Sequence, residues 1–177
     1  MVMKGLPHRM SLLAEIEGHV PALRRYAWSL VRHDQDADDL VQDCLVRALA
    51  RLPELEGGVL AQLRPWLFTI LHNLAVSRWR GLRRRGQPVD IASADLSMAA
   101  SQEWTSTARE MLEALARLPA EQSQVLLLVA VEGFDYREAA GILGIPMGTV
   151  MSRLSRARDA LRAQMEGRGR LALRLVR

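Results

Sequence analysis

Thr149, Ser152, Arg153 and Arg156 carry hydroxyl and guanidinium groups able to bond phosphates and the edges of bases. At about 100° per residue on a helix they gather on one polar face. Val150, Leu154, Ala157 and Leu161 form an apolar stripe on another face. A second group combines rings with cations: Phe68, His72, Ala75 and Trp79 recur at i, i+4, i+7, i+11, beside Arg78, Arg80 and Arg83 to Arg85. Aromatic rings flanked by arginines suit single-stranded DNA, where bases stack and phosphates are neutralised. The competing expectation is that Phe68 and Trp79 pack against the preceding helices. So many arginines in one segment cannot all be buried. A third group is acidic: Asp39, Gln42 and Asp43 share the outer face of one helix. That face repels DNA, so it is either a solvated surface or the docking site of a basic protein.

The polar face of the first group needs a helix-turn-helix to aim it. Asp135 is placed to cap a first helix, with Glu138 three residues later as in a capping box. Tyr136, Ala139, Ala140 and Leu143 give that helix its buried face. Gly144 ends it in the left-handed region, and Pro146 suits the first turn of the next helix. Arg158, Arg162, Arg168, Arg170, Arg174 and Arg177 follow as a basic tail. Gly167 and Gly169 are expected to end the last helix.

Upstream, a helical pattern covers Ser11 to Leu52, with breaks expected near Gly18 and His33 and with Pro21 starting a second helix. Leu23, Ala27, Leu30 and Val31 are its inner positions. From Asp36 to Leu52 the inner positions are Val41, Leu45, Ala48 and Leu52. Residues 53–64 hold Gly57 and Gly58 and read as a loop. Pro65 opens a helix to about Arg85, with Trp66, Leu67, Ile70, Leu71 and Leu74 as core. Gln87 to Gln102 is small, polar and aperiodic, as a linker is. Thr105 to Arg117 and Ala120 to Glu132 are two further helices, the second closed by Gly133. The expected fold is all-α: two small helical domains joined by a flexible linker, the C-terminal one a helix-turn-helix. The bounds are 1–86, linker 87–104, 105–166 and basic tail 167–177.

Composition agrees. The 177 residues are 49% hydrophobic, with 5% aromatic, and the abundance of alanine, leucine and arginine favours helices. Net charge is +4, unevenly placed, which implies one basic and one acidic partner. Cys44 is the single cysteine, so no intrachain disulfide forms; its place among apolar positions reads as a small buried hydrophobe. No secretory signal or membrane span is evident, so a cytoplasmic protein is expected. A glycine-rich phosphate loop, CxxC and HExxH are all missing. His8, His19, His33 and His72 lack metal-ligand spacing. The expectation is a non-enzyme with no cofactor, no metal and no small-molecule substrate.

Four segments in order, DADDLVQDCLVRAL at Asp36–Leu49, RPWLFTILHNLAVSRWR at Arg64–Arg80, LARLPAEQSQVLLL at Leu115–Leu128 and IPMGTVMSRLSRARDAL at Ile145–Leu161, make the chain resemble bacterial sigma factors of the extracytoplasmic-function (ECF) group. The resemblance runs from about Val20 to Ala163. It implies an alternative sigma factor, often tied to a stress response, that binds core RNA polymerase and directs promoter-specific initiation. It implies that Asp39, Gln42 and Asp43 dock on the polymerase clamp helices. The loop Glu54–Gln62 would set specificity at the −10 element, with Asn73, Arg78, Trp79 and Arg80 as strand contacts. A flipped base there costs a few kcal/mol and needs a pocket. Thr149, Ser152, Arg153 and Arg156 would read the −35 element, with DNA shape contributing. An anti-sigma factor would occlude the polymerase-binding faces. Met151 stands where the family usually has lysine or arginine, and Ser77 where it often has aspartate. The rivals are a sigma-like decoy that sequesters an anti-sigma factor, and a stand-alone helix-turn-helix regulator. The decoy would lose the DNA-contacting arginines; the regulator would not need the acidic helix.

Overall fold

The computed structural model describes the backbone at residues 6–51, 62–84 and 114–174, with side chains at 11–51, 62–84 and 114–164. The chain divides into two compact units, Met1–Asp90 and Ile91–Arg177. Every regular element among the described residues is helical, and none is a strand. The fold is all-α.

The first unit holds α1 (Leu6–Val31), α2 (Asp34–Arg51) and α3 (Leu63–Arg84), each packed on the other two. α1 is continuous through Gly18 and Pro21, where a break was expected. A proline inside a helix costs about 3 kcal/mol. Here Pro21 and Glu17 are exposed, so water can serve the Glu17 carbonyl that loses its donor. Leu12 and Ile16 before the proline, and Leu23, Tyr26 and Ala27 after it, are all buried, and that shared burial outweighs the local cost. The expected break at His33 is real: Arg32 adopts φ 55° and ends α1, its N–H donating to the Trp28 carbonyl at 2.7 Å. Arg24 then ties α1 to α2 through two bonds to the Asp38 carboxylate, at 2.6 and 3.0 Å.

Pro65 lies in the first turn of α3, where no intrahelical donor is needed. Leu67, Ile70, Leu71 and Leu74 are buried as expected, whereas Trp66 is only half-buried. Phe68, His72 and Ala75 are buried too. Phe68 meets Tyr26 at 5.3 Å between ring centroids. Tyr26 Oη and His72 Nδ1 share a 3.0 Å hydrogen bond, which satisfies two polar groups inside the core. Cys44 is buried, its thiol donating to the Leu67 carbonyl at 3.4 Å. Burial pushes that thiol up to about 12, so it is protonated and inert at neutral pH.

The second unit holds α4 (Ala120–Leu126), which widens into a π-turn over Leu127–Val131, then α5 (Tyr136–Leu143) and α6 (Met147–Arg174). Residues 114–116 form the visible end of a preceding helix. The π-turn departs from the expected regular helix to Glu132. Its extra residue per turn keeps both Leu127 and Leu128 fully inside. Gly133, at φ 72°, then closes the segment and brings Phe134 into the core. α6 runs on to Arg174 and does not stop at Gly167 or Gly169. A glycine costs a helix only about 1 kcal/mol, and the residues around these two are good helix formers.

His72 gives this core a pH dependence. Burial lowers its pKa from 6.5 to about 4, so the folded state binds it neutral while the unfolded chain takes up a proton below pH 6.5. The unfolded state therefore holds more protons between those values, and stability falls as pH falls through that window. The full gap corresponds to about 3 kcal/mol. Denaturant unfolding from pH 7 to 4 should show this loss, and His72→Phe should flatten it; an equal slope in both proteins assigns the acid sensitivity elsewhere.

Candidate nucleic-acid interface

The helix α5 is fixed at both ends by its own sequence. Asp135 Oδ1 accepts from the N–H groups of Arg137 at 2.7 Å and Glu138 at 2.8 Å. The Glu138 carboxylate accepts from the Asp135 N–H at 2.9 Å, completing the capping box. At the other end Gly144 sits at φ 63° and ψ 34°. The Ile145 N–H donates to the Ala140 carbonyl at 3.1 Å, closing the reversal. The Pro146 carbonyl accepts from Thr149 at 2.9 Å and Val150 at 3.2 Å, which starts α6. Val150, Leu154 and Ala157 are buried against α4 and α5; Leu161 is half-buried.

That packing fixes where the polar face points. Ser152 and Arg156 are exposed, and Thr149 and Arg153 half-exposed. The four expected residues are brought together. Arg156 lies back along the helix, its Nε donating to the Ser152 carbonyl at 3.2 Å and its Nη2 to Ser152 Oγ at 3.4 Å. Ser152 Oγ donates to the Thr149 carbonyl at 3.1 Å. These exposed bonds are weak and readily exchanged for a phosphate or a base edge. Arg153 differs. Its Nη2 lies 2.7 Å from Glu121 Oε2 of α4, and its side chain is only 20% exposed. Glu121 was not singled out by sequence, because no local spacing links it to Arg153.

In the first unit, α3 divides the aromatic stripe. Phe68 and His72 are interior and so unable to stack on bases. Trp79 is half-exposed, and Asn73, Arg78 and Arg80 are exposed. Arg78 pairs with Asp36 at the start of α2, a partner 42 residues away that sequence alone did not reveal. The loop Glu54–Gln62, expected to set −10 specificity, lies outside the described residues apart from Gln62, which is exposed.

α2 sorts its aspartates by role. Asp38 is engaged by Arg24 and Asp36 by Arg78. Asp39, Gln42 and Asp43 are exposed, and among the described residues neither aspartate has an ion-pair partner. The three line an open groove of about 480 Å³ together with Leu40 and Arg47 of α2 and Leu74, Ser77 and Arg78 of α3. The acidic trio and one expected strand contact thus share a single groove. Among the described residues no cluster of His, Cys, Asp and Glu is placed to hold a metal ion, and no helix is long and apolar enough to cross a membrane.

Comparison with known proteins shows the family. The family description "Sigma-70, region 4" matches residues 108–161, and "Sigma2 domain of PhyR" matches residues 16–72. The ECF RNA polymerase sigma factor EcfG of Rhodopseudomonas palustris is 41% identical over 159 residues, covering 89% of this chain and 87% of that protein. The chain belongs to the ECF RNA polymerase sigma factors. Two solved structures are similar to this sigma factor. The sigma factor RpoE in complex with the anti-sigma factor NepR, from Bartonella quintana, is 33% identical, with TM-score 0.66 and coverage of 90% of this chain and 97% of that one. CnrH in complex with the cytosolic domain of CnrY is 27% identical, with TM-score 0.59 and coverage of 86% and 85%.

The Arg153–Glu121 pair can be tested for a part in DNA binding. Glu121 is 69% exposed on its side chain, so the pair adds little to stability, yet it engages one guanidinium of α6. Glu121→Gln should leave the melting temperature within a few degrees of wild type. It should steepen the dependence of log affinity for duplex DNA on log salt by about one ion, as a freed arginine reaches a phosphate. An unchanged slope shows that Glu121 does not hold Arg153 back from a phosphate.

Proposed function

We propose that this chain is an alternative sigma factor that works through three separate surfaces. Asp39, Gln42 and Asp43 dock on a basic face of core RNA polymerase. Asn73, Arg78, Trp79 and Arg80 engage the −10 element: the arginines neutralise the phosphates, and the half-exposed Trp79 is the ring left to stack on a base. Thr149, Ser152, Arg153 and Arg156 read the −35 element from the major groove. The working domains are 1–86 and 105–166, joined by the linker 87–104. The protein catalyses nothing itself and acts in the cytoplasm, where polymerase and DNA are.

One observation carries most of this reading: the capped helix α5 and the turn from Gly144 to Pro146 leave the Thr149, Ser152 and Arg156 side of α6 facing outward. The exposed arginines on both units weigh against a decoy that only occupies an anti-sigma factor. The outward acidic trio on α2 weighs against a regulator that needs only a helix-turn-helix. Both solved relatives are held by a protein partner, and one of these partners is called an anti-sigma factor. An anti-sigma factor for this chain would cover its polymerase-binding faces.

The test is run-off transcription with core polymerase on genomic fragments, with and without the protein. Transcripts that start at discrete sites only when it is present are expected, and their upstream DNA gives both promoter elements. Arg156→Ala should lower output from such a promoter about 10-fold or more, the usual cost of one lost arginine–base contact. Binding to core without any transcript supports the decoy. No binding to core leaves only the regulator.

A further inference from the structure

Four of the five large hydrophobic side chains exposed among the described residues lie on two helices. Val46 and Leu49 of α2 are 61% and 42% exposed, and Met147 and Met151 of α6 are 51% and 50% exposed. Each pair shares its side of the helix with charges. On α2, Asp39, Asp43, Val46 and Ala50 fall within about 60° of one another at 100° per residue, and all four are exposed. On α6, Met147, Met151, Arg158 and Arg162 fall within a similar span and are exposed too. That side of α6 is neither its core side nor its reading side. Val150, Leu154 and Ala157 hold the core, and Thr149 and Arg156 lie about 120° or more further round.

The two sides match in sign and in spacing. Read forward along α2, Asp39, Asp43 and Ala50 are four and then seven residues apart. Read backward along α6, Arg162, Arg158 and Met151 take the same steps. Laid antiparallel, the helices bring Arg162 to Asp39, Arg158 to Asp43 and Met151 to Ala50. Val46, Leu49 and Ala50, at i, i+3 and i+4, frame a hollow for a side chain of a facing helix, and a flexible methionine fills such a hollow well. The same register sets Gln42, not an acid, opposite Asp159. Arg162 gives up little, since it meets Asp159 only at 3.9 Å between exposed side chains. We infer that this chain binds a second copy of itself, the α2 side of one protomer packed on the Met147–Arg162 side of α6 in the other. The reverse contact closes a two-fold dimer. The dimer leaves Thr149, Ser152 and Arg156 uncovered and hides Asp39 and Asp43. It is a store that core polymerase must open, a consequence that rests on the reading of the acidic trio as the polymerase surface.

Sedimentation equilibrium of the full chain over about 1–100 μM should show the mass rising from one copy towards two, as for a weak specific interface. Asp43→Lys and Arg158→Glu each set like charges against one another at both contacts, and each should weaken the dimer about 10-fold or more. Mixed in equal amounts the two variants should dimerise again, because one contact then joins the original charges and the other the exchanged ones. Met151→Asp should weaken the dimer as well, and mixing it with Arg158→Glu should rescue nothing, since both changes lie on α6. All three positions are exposed, and circular dichroism verifies that each variant is folded. A single-copy mass at every concentration overturns the inference. So does a mixture of Asp43→Lys and Arg158→Glu that stays monomeric, or a dimer that neither change weakens. Core polymerase separates this contact from the reading it touches. Core that splits the wild-type dimer into one-to-one complexes supports both. Core that binds the intact dimer leaves the contact standing and overturns the polymerase assignment of α2. A chain that never dimerises, yet loses core affinity on Asp43→Lys, overturns the contact and leaves that assignment standing.

Discussion

Burial of one side of α3 against Tyr26 decides what the first unit can present to partners. Tyr26 is fully buried and its hydroxyl needs a partner there. His72 supplies one through Nδ1, and Phe68 closes on the same ring. Once Phe68, His72 and Ala75 face inward, a rotation of about 100° per residue puts Asn73 and Arg80 outside, whereas Arg78 follows Leu71 and Leu74 round the helix and is exposed near the end of α3, where it meets Asp36. The aromatic stripe is thereby split. Its first rings become core, and only Trp79 at its far end stays within reach of a nucleic acid. α2 is held to both neighbours by ion pairs, Arg24 with Asp38 and Arg78 with Asp36. These remove two aspartates from the acidic cluster and leave Asp39 and Asp43 facing out.

In the second unit the equivalent constraint is local. The Asp135 capping box starts α5, the left-handed Gly144 ends it and turns the chain into α6, and Val150, Leu154 and Ala157 set the rotation of α6. Nothing further is needed to aim Thr149, Ser152 and Arg156 outward. The Glu121–Arg153 bridge resembles the Asp36–Arg78 pair. In each unit an acid on one helix holds an arginine of the helix proposed to meet DNA. Such a pair is cheap to break near the surface, so the arginine keeps its position at little cost when a phosphate competes for it.

The sequence made these local devices legible because each is written within a few residues. The capping box, the glycine reversal and the proline start of α6 were expected at the positions where they stand. So was the inward side of Leu67, Ile70, Leu71 and Leu74. Local breakers were overread. Pro21 and the glycines at 167 and 169 weigh only about 1–3 kcal/mol each, and Pro21 yields to apolar residues on both sides that share one core. Periodicity found two stripes on α3 but could not say whether the second met solvent, since the answer lay in Tyr26, 46 residues from His72. The ion pairs of Asp36 and Glu121 were hidden for the same reason. The exposure of Met147 is legible only once the buried face of α6 is known.

The claim that joins both units is that acidic and basic surfaces serve different partners on one polymerase. The most direct measurement is the affinity of the full chain for core RNA polymerase, compared between wild type and Asp43→Lys, with circular dichroism to verify that both are folded. Asp43 is exposed, so its replacement should leave the helices intact while lowering affinity for core at least 10-fold, with the loss shrinking at high salt. Equal affinity in the two proteins would contradict the assignment of the acidic face of α2 to polymerase and would leave this chain without a surface for it.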